Sequence, residues 1–345
     1  MRLLITTQAI DLDDPVLAFF HGWILEIARN FESVEIICLK VGRHALPEHV
    51  RIHSLGKEQG RSRWKYVMRF YYYLWVLRKK YDAVFVHMNP EYAVLGGFLW
   101  RIFGKKVGLW YIHPKKTFLL HVAVLFANRV MSASARSFPI RTSKLVALGH
   151  GVDTVFFSPA QYTIVSEKLR AMGVARIAPV KRLECIIGAV GALVREQVPI
   201  QFDFYGTELD RDRAYAETIR KLVPAATPPE VWTWKGNASP EKVRDAFRTH
   251  DVHVNATDSG SFDKVVIESM ACGCLTIASN AALQGILPAE LLFKEGDSVS
   301  LAKALKNIAK KSIEERRILA TQLRTIAEDH YSLVALARAI KKVLA

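Results

Sequence analysis

The chain has 345 residues, half of them apolar and 23% charged. That length suits two domains, and that composition excludes a disordered chain; no run of about 18 uncharged apolar residues occurs, which excludes a membrane-spanning helix. The net charge of +15 is uneven: residues 1–158 hold 22 lysines and arginines against 11 acids, and residues 159–345 hold 26 against 22. The first half therefore has the stronger pull on an anionic partner or surface.

In chain order, MRLLITT reads as a first strand, Leu3–Thr6, and not as a signal peptide, because acidic DLDD follows at once. A helix is predicted around Val16–Asn30, then a buried strand Val34–Leu39 and a shorter one in HVRIHSL. Cys38 in that buried strand, with Cys185, Cys272 and Cys274, points to a reduced, cytoplasmic protein. The C-x-C at 272–274 has no second pair to complete a zinc site. A long helix is predicted for Arg61–Lys80, then a strand Ala83–Met88, a helix Ala93–Phe103, a strand Lys106–His113 and a helix Leu119–Asn128.

After Phe157-Ser158-Pro159 the alternation restarts. Strands are expected in AMGVARI, IQFDFYG, VWTWKG, VHVNA and LTIAS, with helices at Leu183–Arg195, Asp212–Leu222, Pro240–Thr249 and Val265–Cys272, and a helical end over Ser300–Ala345. Such alternation predicts an α/β protein of two Rossmann-like domains facing a cleft, divided at 1–158 and 159–330.

Two basic residues stand in the turn 175–184, ARIAPVKRLE, between a strand and a helix. The N-terminal end of a helix offers unpaired N–H groups and partial positive charge, so Arg176 and Lys181 there form a candidate diphosphate site. Residues 258–274, DSGSFDKVVIESMACGC, place Glu268 within an apolar helix. A buried carboxylate needs hydrogen-bond partners, and ribose hydroxyls would supply them.

ARIAPVKR followed some 80 residues later by GSFDKVVIESMACG resembles the family-four glycosyltransferases, glycosyl transferases group 1, which have the GT-B fold. GHGVD near Val152-Asp153, YGTELD over Tyr205–Asp210 and WKGNASPEKV over Trp234–Val243 match further motifs in order. The resemblance implies a retaining transfer of a sugar from a nucleotide-diphosphate donor to a hydroxyl acceptor, a glycan or a lipid-linked one. It implies that Arg176 and Lys181 hold the diphosphate and Glu268 the ribose. Gly236, Ser261, Phe262, Asp263 and Lys264 would line the donor side, and His113 would contact the transferred sugar. It also implies that the last helix, 331–345, crosses back to the first domain. One departure concerns the donor: Gly260 stands where the family has a Glu, and Asp258 or Asp263 is the candidate substitute. The family's Gly-rich acceptor loop is replaced by TTQAIDLDDPVLAFF, which makes Asp14 and Phe19 the acceptor-side candidates.

No cofactor and no metal is expected: Asp11, Asp13 and Asp14 precede a helix, where carboxylates cap N–H groups. Removing Lys181 is expected to stop transfer with little loss of fold. A dinucleotide oxidoreductase would need G-x-G-x-x-G after the first strand, which TTQAID lacks. A polyanion-binding protein or a non-catalytic member of the fold is the alternative, although no nucleic-acid-binding motif occurs and no nucleic acid partner is expected. The helix 61–80 has two apolar faces and basic ends, so an anionic membrane surface is a further expected partner, with the enzyme peripheral on the inner face.

Overall fold

The computed structural model describes all residues except 15, 114, 161–167 and 259–261. The described residues form two compact units, 1–151 with 332–345, and 152–331. The first unit is a parallel sheet of β1 (Leu3–Ile10), β2 (Val34–Val41), β3 (Val50–Ser54), β4 (Ala83–His87), β5 (Lys106–Trp110), β6 (Arg129–Ser132) and β7 (Leu145–Ala147), in spatial order 3-2-1-4-5-6-7. The order reverses between β1 and β4, where both neighbours run parallel to β1.

Period-two alternation divides each strand between two cores. Leu3 and Ile5 of β1 join a cluster with Phe20, Trp23 and Ile24 of α1 (Ala18–Ala28) and with Leu336, Ile340 and Leu344 of α11 (Leu333–Leu344). Leu4, on the opposite side, joins Phe70 and Leu74 of α2 (Arg63–Leu77), Trp100 of α3 (Pro90–Ile102) and Leu120 of α4 (Phe118–Phe126). Strands covered on both faces need apolar residues at every position, which is why β4 reads AVFVH and is buried throughout.

α2 begins two residues later and ends three earlier than the sequence pattern suggests. Of its two apolar faces, one is core: Phe70, Leu74 and Leu77 are buried, with Tyr66 and Tyr73 packed alongside. The other lies in solvent, with Trp64 71% and Trp75 58% exposed and Met68 and Tyr72 also outward. Leu74, three positions from the outward Tyr71, is fully buried.

The second unit is a parallel sheet of β8 (Leu169–Val174), β9 (Ile200–Tyr205), β10 (Trp232–Gly236), β11 (Val252–Asn255) and β12 (Leu275–Ala278), in order 10-9-8-11-12. The helices are α5 (Leu183–Arg195), α6 (Arg213–Ala226), α7 (Pro240–Thr249), α8 (Lys264–Ala271), α9 (Ser298–Lys310) and α10 (Ile313–Tyr331). This unit begins at Val152, earlier than the division expected after Ser158. The reason is local bonding. Val152 N–H donates to Tyr331 O at 2.8 Å, Arg248 Nε donates to Ser158 O at 2.6 Å, and the Arg244 guanidinium lies 4.9 Å from the Phe156 ring.

Candidate functional site

In the second unit the strand order reverses at β8, which has β9 on one side and β11 on the other. Ligands of parallel sheets bind at the carboxyl ends of strands beside such a reversal. Two segments meet there, 175–182 after β8 and, after β11, residues 256–258 with 262–263. The first is anchored by its backbone: Ala175 N–H donates to Tyr205 O at 3.1 Å, and Ile177 N–H donates to Thr207 O at 3.0 Å. Ile177 and Ala178 are buried, and Pro179–Lys181 form one tight helical turn. Arg182 then adopts a left-handed φ of 49° and α5 starts.

The N-terminal end of α5 is not wholly open to a ligand. Leu183 N–H donates to the Tyr215 hydroxyl at 3.1 Å, and that hydroxyl donates to Glu184 Oε2 at 2.6 Å. The loops are stitched together. Asp258 N–H donates to Val180 O at 3.0 Å, and Arg182 Nε donates to Asp258 Oδ1 at 2.7 Å.

Lys181 is largely enclosed, and its ammonium donates to Asp263 Oδ2 at 2.7 Å and to Thr257 Oγ1 at 3.2 Å. Asn255 Nδ2 also donates to Asp263 Oδ2, at 2.9 Å. Burial pushes the Asp263 carboxyl upward, but the Lys181 charge and these hydrogen bonds outweigh it and hold the group below its ordinary range. Arg176 is exposed and has no ion-pair partner among the described residues. Glu268 lies on α8 with Lys264 Nζ 3.3 Å away. Burial raises its carboxyl above the ordinary range, and Lys264 offsets part of that. Phe262 is buried and stacks on Tyr331, ring centroids 5.8 Å apart.

Gly236 closes β10 at φ 68° and accepts the Gly206 N–H at 2.8 Å. Gly206 itself has φ 142°, and a Cβ there would lie 1.8 Å from Ala175 O. Only glycine fits this approach of β9 to the loop that carries Arg176. Beside Gly236, Lys235 Nζ is 3.0 Å from the buried Asp203 carboxylate.

The first unit holds the remaining candidates. His113 follows β5, is exposed, and accepts Lys115 N–H at Nδ1, 3.1 Å away. Asp14 Oδ1 accepts the N–H groups of Val16 and Leu17 at 3.0 and 2.9 Å, and Phe19 lies edge-on to Trp23 at 6.0 Å. Asp11 is paired with Lys40 at 3.1 Å and Asp13 with Arg43 at 2.7 Å. Gly260 and Ser261 lie outside the described residues.

Four side chains of the second-unit site escaped the sequence reading: Asn255, Thr257, Arg182 and Tyr215. For the first two a signal exists. VHVNAT alternates apolar and polar residues, and such a stripe on a strand that helices cover must meet polar partners.

Residues 168–311 match the family described as glycosyl transferases group 1. No curated protein matches the chain significantly. Among solved structures, HepE of Anabaena in complex with UDP is 14% identical with a TM-score of 0.75, covering 100% of this chain and 99% of that one. Sucrose-phosphate synthase of Thermosynechococcus elongatus is 18% identical with a TM-score of 0.75, covering 99% and 98%. A glycosyltransferase of Rickettsia africae is 13% identical with a TM-score of 0.75, covering 99% and 97%.

Proposed function

We infer the chemistry from the premise that this chain is a GT-B protein of the glycosyl transferases group 1 type: it moves a sugar from a nucleoside-diphosphate donor to a hydroxyl acceptor. The observation that carries this reading is the placing of Lys181 and Arg176 on one anchored loop at the strand-order reversal. Two cations there hold the diphosphate and stabilise it as it leaves, and no metal is invoked. Glu268 accepts the ribose hydroxyls, and Phe262 and Lys264 belong to the donor side.

Transfer proceeds with retention. The bond from the anomeric carbon to the phosphate oxygen breaks, the bond to the acceptor oxygen forms on the same face, and the acceptor proton passes to the departing phosphate. His113 of the first unit contacts the transferred sugar, and Asp14 and Phe19 belong to the acceptor side. Their carboxylate neighbours Asp11 and Asp13 already neutralise Lys40 and Arg43.

The acceptor is lipid-linked, and the protein works peripherally on an anionic membrane surface on the cytoplasmic side. The outward aromatics of α2 support this, as do Phe98 and Ile102 on α3 and Phe118, 81% exposed, on α4. Arg78 lies 4.1 Å from the Trp75 ring, the pairing of aromatic and cation that suits a headgroup layer. No helix among the described residues is long and apolar enough to cross a membrane.

Calorimetry with nucleoside diphosphates tests the donor reading, starting with UDP because HepE binds it. Saturable binding in the micromolar range is expected. No saturable binding of any nucleoside diphosphate at millimolar concentration would remove the reading. Product analysis by NMR then gives the anomeric outcome. Sedimentation with phosphatidylglycerol vesicles at low salt tests the membrane reading separately.

A further inference from the structure

The side chains of His253, Asn255 and Thr257 lie along one side of β11 and its continuation, under α8. At the inner end His253 Nδ1 meets Ser269 Oγ at 3.1 Å. At the outer end three donors converge on one oxygen of Asp263: Lys181 Nζ at 2.7 Å, Asn255 Nδ2 at 2.9 Å and Thr257 Oγ1 at 2.5 Å. Thr257 uses its single proton toward Asp263 and accepts from Lys181 at 3.2 Å, so ammonium, hydroxyl and carboxylate form a closed triangle. The Lys181 and Asp263 side chains are only 16% and 11% exposed.

We propose that Asp263, with Thr257, is a positioning residue that fixes the Lys181 ammonium and tempers the positive charge a diphosphate meets. This rests on the donor reading above and assigns Asp263 to the lysine, not to the sugar. A lysine left alone has four rotatable side-chain bonds to order when an anion arrives. Here it is ordered in advance. The same carboxylate repels a bound diphosphate, because like charges a few ångströms apart in a poorly solvated site interact strongly. Asp263 therefore weakens nucleotide affinity, speeds release of the nucleoside diphosphate, and keeps the lysine aimed during transfer.

Asp263→Asn tests this, because the amide has nearly the shape of the carboxylate without its charge. Expected are about tenfold tighter binding of UDP by calorimetry and a several-fold fall in kcat with a lower KM for the donor. Asp263→Glu restores the charge but not the distance, so it should bind UDP as the wild type does and still turn over slowly. Unchanged or weaker UDP binding in a folded Asp263→Asn protein overturns the proposal. Thr257→Val is the second variant. It keeps the ion pair, so kcat should fall while UDP affinity stays within about twofold. An unaltered kcat there counts against the positioning role.

A ligand-free measurement separates this inference from the donor reading. Trace acetylation of Lys181, read by peptide mass spectrometry, should rise several-fold in Asp263→Asn. Equal labelling in both proteins overturns the pairing even if UDP binds. Wild-type protein that binds no nucleoside diphosphate overturns the donor reading instead, whatever the labelling shows.

Discussion

Lys264 and Glu268 stand one helical turn apart on α8, with the ammonium 3.3 Å from Glu268 Oε1 in a half-buried setting. Spacing of four residues on a helix brings side chains together. In this protein the lysine partly compensates a carboxylate whose burial would otherwise favour its neutral form. A carboxylate in that condition gains from two hydroxyl donors. Glu268→Ala is therefore expected to weaken UDP binding by about tenfold to a hundredfold, the worth of hydrogen bonds to a charged group. Calorimetry decides this, and unchanged affinity for UDP would contradict the ribose assignment.

If Lys181 holds the diphosphate as proposed, Lys181→Ala is expected to lower transfer by about a hundredfold or more, because the charge that stabilises the leaving group is removed. The sequence suggested that this change would spare the fold. The structure corrects that expectation. Lys181 neutralises a carboxylate that is only 11% exposed, and the alanine variant strands it. A loss of about 1–3 kcal/mol in the unfolding free energy of the second unit is expected. Lys181→Ala/Asp263→Ala should recover most of that stability and none of the activity. Denaturant melts of the wild type, the single variant and the pair give the coupling directly.

The two parallel sheets covered by helices follow from the alternation visible in the chain, whereas the spatial order of their strands does not. Strands read as continuous apolar runs where helices cover both faces, α5 spans the Leu183–Arg195 that its apolar spacing gives, and α7 starts at the Ser239 cap and Pro240. Arg176, Lys181 and Glu268 stand out in the chain as candidates because their types and spacing match a motif. Their partners do not. Thr257 and Tyr215 act through contacts between segments far apart in sequence, 76 residues for Thr257 with Lys181 and 32 for Tyr215 with Leu183. Local periodicity carries no information on such pairs. The outward face of α2 was likewise ambiguous, since the same aromatic spacing suits a core or an exposed stripe until a neighbouring helix covers one side.

Gly206→Ala should be far more harmful than its one added methyl suggests. Its φ of 142° is closed to alanine, and the new Cβ would lie 1.8 Å from Ala175 O. The loop bearing Arg176 must then move away from β9. Loss of soluble protein, or of at least 2 kcal/mol with UDP binding reduced about tenfold, is the expected outcome. Gly236→Ala offers the control. It also has a positive φ, but nothing lies within 4 Å of its Cβ, so its cost should be strain alone, about 1 kcal/mol. Equal stability of the two variants by thermal melt would refute the close-approach argument.

The last helix gives a prediction about the first unit. Leu336, Ile340 and Leu344 of α11 are buried in the cluster that includes Trp23, Trp110 and Ile24. Ile340→Ala should cost about 2–4 kcal/mol by the lost burial and the cavity it leaves. Chains ending before Ser332 should show a destabilised first unit, read as faster hydrogen exchange in β1 and β5. Exchange unaltered in those strands would mean that α11 contributes little to this core.

Acid should destabilise both units through a deeply buried histidine in each, His87 in the first and His253 in the second. His87 stacks on Phe20 with centroids 3.7 Å apart and meets Thr7 Oγ1 at 3.2 Å, and burial pushes its pKa down to about 3. His253, against Ser269, is pushed down by burial to about 3 as well. Between that value and the ordinary 6.5 of an unfolded chain, the unfolded state binds more protons than the folded one. Stability therefore rises with pH across this window, is fully present above about 6.5, and is lost as pH falls below it. Each histidine contributes a slope of up to about 1.4 kcal/mol per pH unit. His87→Phe keeps a ring beside Phe20 without a titrating group, so its denaturant midpoint should fall less steeply than that of the wild type between pH 6 and pH 4. Identical pH slopes for the two proteins would show that His87 is not held neutral.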